Sequence, residues 1–184
     1  LAGKGRDMAR DTPFQIGDSI PQFNSALGVA GATLGNGGRE ALLATQALYT
    51  VPAGGQIIAG VPTLSLEMTA LGGAGLDSCA IPLSIGACDP ILFVGLGQRK
   101  AGTQRWDLID DQLTPLRSFG RHDVNMTGIA ERLAEGDELA LLIYAFHAQC
   151  PVTWSRDLLV PALNITGTVN LPLRTPADIS HDGV

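Results

Sequence analysis

The chain has 184 residues and a net charge of −6, with 45% hydrophobic and only 16% charged residues. This composition excludes a disordered chain and fits a globular domain with a sizeable core. The 12 Lys and Arg residues are scattered, so nucleic acid is not an expected partner, and the longest apolar run is too short to predict a membrane span.

The first third of the chain shows little regular period. Residues 1–26 follow neither a helical nor a strand pattern, and we expect them to be a linker or an arm from a preceding domain. Residues 28–40 hold five Gly and predict a loop. The stretch ALLATQALYTV (41–51) leans towards a strand through its Thr, Tyr and Val, but its mixed period leaves a short helix open.

From residue 62 onward the pattern is β. PTLSLEMTA alternates Leu64, Leu66 and Met68 with polar residues, as a half-buried strand does. Further strands are predicted in five segments: 90–100, 104–116, 122–133, 137–148 and 158–173. The segment 137–148 is the longest apolar run, and we expect a turn at Gly136 to direct it across the centre of one sheet.

The sequence therefore predicts an all-β fold of roughly eight strands, a two-sheet sandwich or jelly roll, with almost no amphipathic helix. The sandwich is assigned to residues 27–174, and the polar residues 175–184 are expected to be a flexible tail.

Motifs that carry chemistry are not recognised in the sequence. There is no Gly-x-Ser-x-Gly elbow, phosphate-binding loop, dinucleotide fingerprint or zinc motif, so no catalytic residue, cofactor or metal ligand is assigned. His147 with Cys150 could form a Cys/His pair, but a structural histidine at a strand end is favoured. Adjacent acids at Asp110 and Asp111 indicate a solvated turn better than a calcium site.

Two isolated tryptophans, Trp106 and Trp154, could stack on a sugar ring. Residues of this kind are more often part of a core or an interface, and that interpretation is preferred here.

Cys79 and Cys88 lie at the two ends of a connection that contains Pro and Gly. A disulfide between them is predicted if the compartment is oxidising, and three free thiols, with Cys150, are the alternative. A secreted and a cytoplasmic location both stay open, and the disulfide would favour secretion.

Four segments, taken in order, resemble a known module. They are ALYTVPAGGQIIAGVPTLSLEMTA, DPILFVGLGQRKAGTQRWDLIDDQLTPLR, VNMTGIAERLAEGDELALLIYAF and GTVNLPL, within residues 41–173. Together they resemble the C-terminal domain of the X-Pro dipeptidyl-peptidase family of serine hydrolases and of the related cocaine-esterase-like acyl hydrolases. Two departures are the long connection over residues 71–90 and the Asp137-Glu138-Leu139 stretch, where that family has basic residues.

The resemblance implies a jelly roll of the galactose-binding-like type that follows an α/β-hydrolase domain. The catalytic triad belongs to that other domain, so this chain is expected to be non-catalytic, to pack on its α/β-hydrolase partner and to help shape substrate access. Homo-oligomers also stay open. Apolar residues on both parities of 41–51 and 158–173 predict a docking face, unless those segments lie in a fully covered sheet.

Two alternatives rest on the fold class alone. One is a stand-alone carbohydrate-binding sandwich, and the other is a structural or adhesion-like β-domain without a small ligand.

Overall fold

Two antiparallel β-sheets account for most of the residues that the computed structural model describes, namely 8–20, 33–35, 40–70, 91–148 and 163–176. The strands in chain order are β1 Met8–Ile20, β2 Thr33–Gly35, β3 Glu40–Thr50, β4 Gln56–Gly60, β5 Thr63–Ala70, β6 Ile91–Arg99, β7 Asp107–Leu108, β8 Thr114–Arg117, β9 Gly120–Asn125, β10 Ile129–Leu133, β11 Glu138–His147 and β12 Leu163–Arg174. The predicted all-β sandwich is confirmed.

Sheet A is organised around β12. One edge of β12 pairs with β1 along most of its length, and the other edge pairs first with β5 and then with β4. Strands β4 and β5 are therefore two halves of a single strand position. The same holds for β9 and β10, which pair in turn with the free edges of β5 and β4.

The strands of sheet A are interrupted where these halves meet, between Gly60 and Thr63 and between Asn125 and Ile129. Gly60 has a φ of +139°, a conformation that favours glycine, and a Cβ there would lie 3.1 Å from the Cβ of Pro172. Pro62 has no N–H for the sheet ladder, and its carbonyl accepts a hydrogen bond from the Met126 N–H at 2.9 Å. The interruption between β4 and β5 thus coincides with a glycine and a proline that do not suit a continuous strand.

Sheet B has the order β2, β3, β11, β6. Strands β7 and β8 both pair with the remaining edge of β6, separated by a short 3-10 turn over Ile109–Asp111 in which Asp110 and Asp111 have a φ of 51°. The long apolar strand β11 lies between β3 and β6, so its predicted place at the centre of a sheet is confirmed.

The strand order is that of a jelly roll. If the short edge strand β2 is left aside and each pair of half-strands is counted once, sheet A has the order β1, β12, β4/β5, β9/β10. Sheet B has the order β3, β11, β6, β7/β8. The chain crosses repeatedly between the sheets, as in two Greek keys wrapped around one core. The more specific galactose-binding-like type stays a prediction.

The main core lies between the sheets. The alternating residues of β5 fill it as predicted, with Leu64, Leu66 and Met68 all buried. From sheet B, the inward parity of β11 contributes Leu139 and Leu141. Burial of these large apolar side chains is the main favourable term that holds the two sheets together.

A second apolar cluster covers the opposite face of sheet B. Here Leu142 and Tyr144 of β11 lie beside Phe93 of β6, and all three are buried. Among the side chains packed over them are Trp106 and Leu108, from the connection after β6 and from β7. Because sheet B is covered on both faces, the odd and the even positions of residues 137–148 both carry apolar side chains.

The chain before β3 departs from its sequence pattern. Residues 8–20, predicted to lie in a linker or arm, form β1 and add an edge strand to sheet A. Residues 33–35, predicted as loop, form β2. Residues 40–50 form strand β3, so the short helix left open for that stretch is not present.

The docking face predicted from residues 41–51 and 158–173 stays a prediction, because the burial of residues 158–164 is not described. Among the residues whose burial is described, Val61 is the exposed large hydrophobic side chain, at 50% exposure. In β3, Leu42 and Leu43 are only partly buried and pack against the two apolar clusters. The described residues contain no helix that is long and apolar enough to cross a membrane.

Candidate functional site

The outer face of sheet A carries a polar grid that we consider the candidate site. Its six residues stand in two rows across β12, β5 and β9: Thr166, Glu67 and Arg121 in the first row, and Thr168, Ser65 and Asp123 in the second. They alternate with the inward-facing core residues of the same strands, because successive side chains in a strand point to opposite faces.

Hydrogen bonds fix part of this grid. The Ser65 hydroxyl donates to Oδ1 of Asp123 at 2.5 Å, and Arg121 donates to both carboxylate oxygens, from Nε at 2.9 Å and from Nη2 at 3.3 Å. The Arg121 and Ser65 hydrogen bonds lower the pKa of Asp123 below its ordinary value. The bond to Asp123 and its charge raise the pKa of Arg121. Both groups are therefore charged at neutral pH.

A shallow open depression of about 310 Å³ lies over the grid. Its lining combines the short side chains of Ser65, Thr166 and Thr168 with the longer Glu67 and Arg121. At its floor the backbone of β12 comes so close to β5 that a Cβ on Gly167 would lie 2.2 Å from the Ser65 carbonyl oxygen. A glycine is required here because a side chain, which would point towards the core, would clash with the backbone of β5.

A buried carboxylate elsewhere has a structural role. Asp137 accepts hydrogen bonds from the backbone N–H groups of Ala101 and Ala134, both at 3.0 Å, and from the Gln98 amide at 2.7 Å. Burial raises its pKa, but these hydrogen bonds and the charge of Lys100 together outweigh that effect, and the pKa of Asp137 lies below its ordinary value. With Gly136 at a φ of +80°, this network forms the predicted turn before β11.

The histidine singled out by the sequence is also buried. His147 lies with Nε2 3.4 Å from a Glu40 carboxylate oxygen, and its ring contacts Tyr144 edge-on at 5.3 Å between centroids. Burial, and then the charges of Glu40 and Asp107, raise the pKa of Tyr144 above its ordinary value. Cys150 lies outside the described residues, so the Cys/His pair stays untested, and the environment of His147 fits the structural interpretation.

The other candidates occupy ordinary positions. Asp110 and Asp111 are exposed in the left-handed turn, and the described ranges contain no cluster of three or more His, Cys, Asp or Glu that could hold a metal ion. Trp106 packs partly buried against sheet B, with the guanidinium of Arg99 5.0 Å above its ring. Trp154 lies outside the described residues, as do Cys79 and Cys88, so the disulfide stays a prediction.

Sequence reasoning missed the polar grid. The alternation in PTLSLEMTA placed Ser65 and Glu67 on the solvent face, but the partners on β9 and β12 are distant in the sequence. Only the pairing register shows that three polar strand faces lie side by side.

Comparisons with known proteins find likeness to solved structures at low sequence identity. No family model matches the chain, and no curated protein matches it. Among solved structures, a CocE/NonD family hydrolase from Staphylococcus aureus aligns with a TM-score of 0.48 and 10% sequence identity. The alignment covers 90% of this chain and 37% of the hydrolase, so the chain spans little more than a third of that protein's length.

Proposed function

We propose that this chain is a non-catalytic jelly-roll domain of a larger serine hydrolase, of the X-Pro dipeptidyl-peptidase or acyl-esterase type. In this role it packs on an α/β-hydrolase domain of the same parent protein and helps shape access to the active site. The observation that carries the proposal is the ordered resemblance of four segments, which correspond to consecutive strands of one sandwich.

Each of the four segments coincides with one or more strands of the sandwich. The segment 47–70 contains the end of β3 with β4 and β5, and the segment 89–117 contains β6 to β8. The segment 124–146 runs from the end of β9 through β10 into β11, and 167–173 lies in β12.

The described residues also support a non-catalytic role. The Ser65 hydroxyl is bound to Asp123, but that carboxylate is paired with Arg121 and has a lowered pKa. A carboxylate of this kind is a poor general base, so it does not activate the hydroxyl as a nucleophile. The chemistry is therefore assigned to another domain of the parent protein.

A polar docking surface is compatible with this role. Interfaces between domains of one chain are commonly more polar than permanent subunit interfaces. Scarcity of exposed large apolar side chains among the residues whose burial is described is compatible with docking through a mixed surface.

The test begins with the reading frame that encodes this chain. We expect it to encode an α/β-hydrolase domain with a Gly-x-Ser-x-Gly elbow. The parent protein should hydrolyse X-Pro anilides or short acyl esters, and the 184-residue chain alone should not. Deletion of the jelly roll should change kcat/KM for large substrates more than for small ones.

Two results would contradict the proposal. One is a parent reading frame without a hydrolase domain. The other is turnover by the purified 184-residue chain that a serine-directed covalent inhibitor blocks.

A further inference from the structure

We propose that the polar grid on the outer face of sheet A is a binding site for a neutral, hydroxyl-rich ligand, namely a carbohydrate chain. This inference does not rest on the hydrolase proposal. It assigns a second role to the domain, on a face whose residues the core does not use.

The charges of the grid select the ligand class. The grid combines one guanidinium, on Arg121, with two carboxylates, on Glu67 and Asp123. The two carboxylates would repel an anionic ligand, and the guanidinium of Arg121 would repel a cationic one. A neutral ligand whose groups both donate and accept hydrogen bonds matches this mixture, and sugar hydroxyls do both.

Free hydrogen-bonding capacity remains after the internal contacts are made. Arg121 uses Nε and Nη2 on Asp123, which leaves further N–H donors of its guanidinium available. Glu67 is exposed, and its charge acts on the neighbouring Arg121, so its carboxylate oxygens face solvent beside the guanidinium. An acceptor and a set of donors therefore stand side by side on paired strands, with the Thr166 hydroxyl on the next strand.

The shape of the grid fits an extended ligand lying flat on the sheet. Neighbouring strands are about 4.8 Å apart, so three strands span about 10 Å, and the two rows are about 7 Å apart along the strands. The backbone of Gly167 forms part of the floor between the two rows. Since Arg121 is held by Asp123, and Asp123 also by Ser65, part of the ordering entropy is lost before the ligand binds.

Titration of the 184-residue chain with neutral oligosaccharides tests the site. The probes are cellotetraose, xylotetraose and mannotetraose, with a sulfated oligosaccharide as the anionic comparison, followed by backbone amide NMR shifts. We expect at least one neutral probe to shift the amides of residues 65–67, 121–123 and 166–168. The sulfated probe should bind more weakly than the neutral probe of the same length.

Matched variants separate the grid from the rest of the face. Thr168→Val removes one hydroxyl with little change in shape and should weaken binding about three- to tenfold, as expected for one lost hydrogen bond. Glu67→Gln should weaken binding at least as much, because it removes the charged acceptor. Thr63→Val is the control, since Thr63 is exposed on the same face of β5 but does not line the depression.

Several results would overturn the inference. These are no shift with any neutral probe at tens of millimolar, shifts confined to other surfaces, tighter binding of the sulfated probe, or equal weakening by Thr168→Val and Thr63→Val. None of them affects the hydrolase proposal, which the parent reading frame decides.

Discussion

The side-chain amide of Gln98 donates a hydrogen bond of 2.7 Å to Oδ2 of Asp137, and both side chains are buried. This contact joins the end of β6 to the turn that leads into β11, the central strand of sheet B. Because two backbone N–H groups also point at the same carboxylate, the loop after β6 and the turn before β11 are held by one charged group.

Replacing Asp137 with Asn should destabilise the domain by about 1.5–3 kcal/mol, the range for hydrogen bonds to a buried charged group. The Asn amide nitrogen would face a donor where the second carboxylate oxygen now accepts. Urea denaturation measures the loss. Glu135→Gln in the same turn is the control and should be nearly silent because Glu135 is exposed. Equal urea midpoints for the two variants would show that the network does not stabilise the fold.

The same carboxylate predicts a dependence of stability on acid. Its folded pKa lies below the ordinary value of 3.8, so the fold favours the ionised form. The corresponding stability is fully present above about pH 5 and is lost as the pH falls through 3.8 towards the lowered folded pKa. Melting temperatures between pH 2.5 and 6 should fall more steeply for the natural chain than for Asp137→Asn. Parallel curves would contradict the assignment.

Leu142→Asp should unfold the domain. Leu142 is fully buried in the second apolar cluster, and an unpaired carboxylate in that place is strongly unfavourable. Ser118→Asp, in an exposed turn with a φ of +65°, should be nearly silent, because Asp tolerates the left-handed conformation. Circular dichroism melts compare the two variants, and a folded, cooperative Leu142→Asp protein would disprove the burial of this face.

Gly97→Ala should destabilise the domain by about 1–3 kcal/mol through overpacking. The added methyl carbon would lie 2.5 Å from Cδ1 and 2.7 Å from Cγ of Leu142, on the adjacent strand. Gly128→Ala is the matched control because the nearest atoms to its added carbon lie at 3.6 Å and 3.7 Å. If chemical denaturation gives Gly97→Ala the stability of the natural chain, the close packing of Leu142 on β6 is wrong.

Oxidised protein should contain a Cys79–Cys88 disulfide and a free Cys150. Closing a loop of this size should stabilise the folded state by about 2–3 kcal/mol, if the geometry is unstrained. Peptide mapping without reduction identifies the pair. A bridge to Cys150, or three free thiols after oxidation, would refute this prediction.

Most of the sandwich could be predicted from local patterns. Period-two alternation identified β5 directly, and the apolar run over residues 137–148 predicted the central strand β11. These signals are local because each strand buries one face, or both, against a fixed neighbour. The ends of the strands were harder to predict. Strands β9 and β10 were predicted as one continuous segment, and only their pairing with β5 and β4 separates them.

The rest depends on contacts between distant residues. Strand β1 carries no clear alternation, and its pairing with β12 determines its structure. The Asp137 network joins Gln98 and Ala101 to a turn that begins at Ala134, and no motif marks such a set in advance. The polar grid likewise arises only when three strands are placed in register.

The pairing of β1 with β12 also sets an order of events during synthesis. These two strands lie at opposite ends of the described chain, yet they form the longest shared ladder of sheet A. While the ribosome is still translating the chain, β1 has emerged but its partner has not yet been made. Sheet A can therefore close only after β12 leaves the exit tunnel, so folding of this sheet should be slow, as expected for a β-fold dominated by distant contacts. Until then the backbone groups of β1 are open to other chains, which makes this N-terminal strand the segment that a chaperone would have to protect.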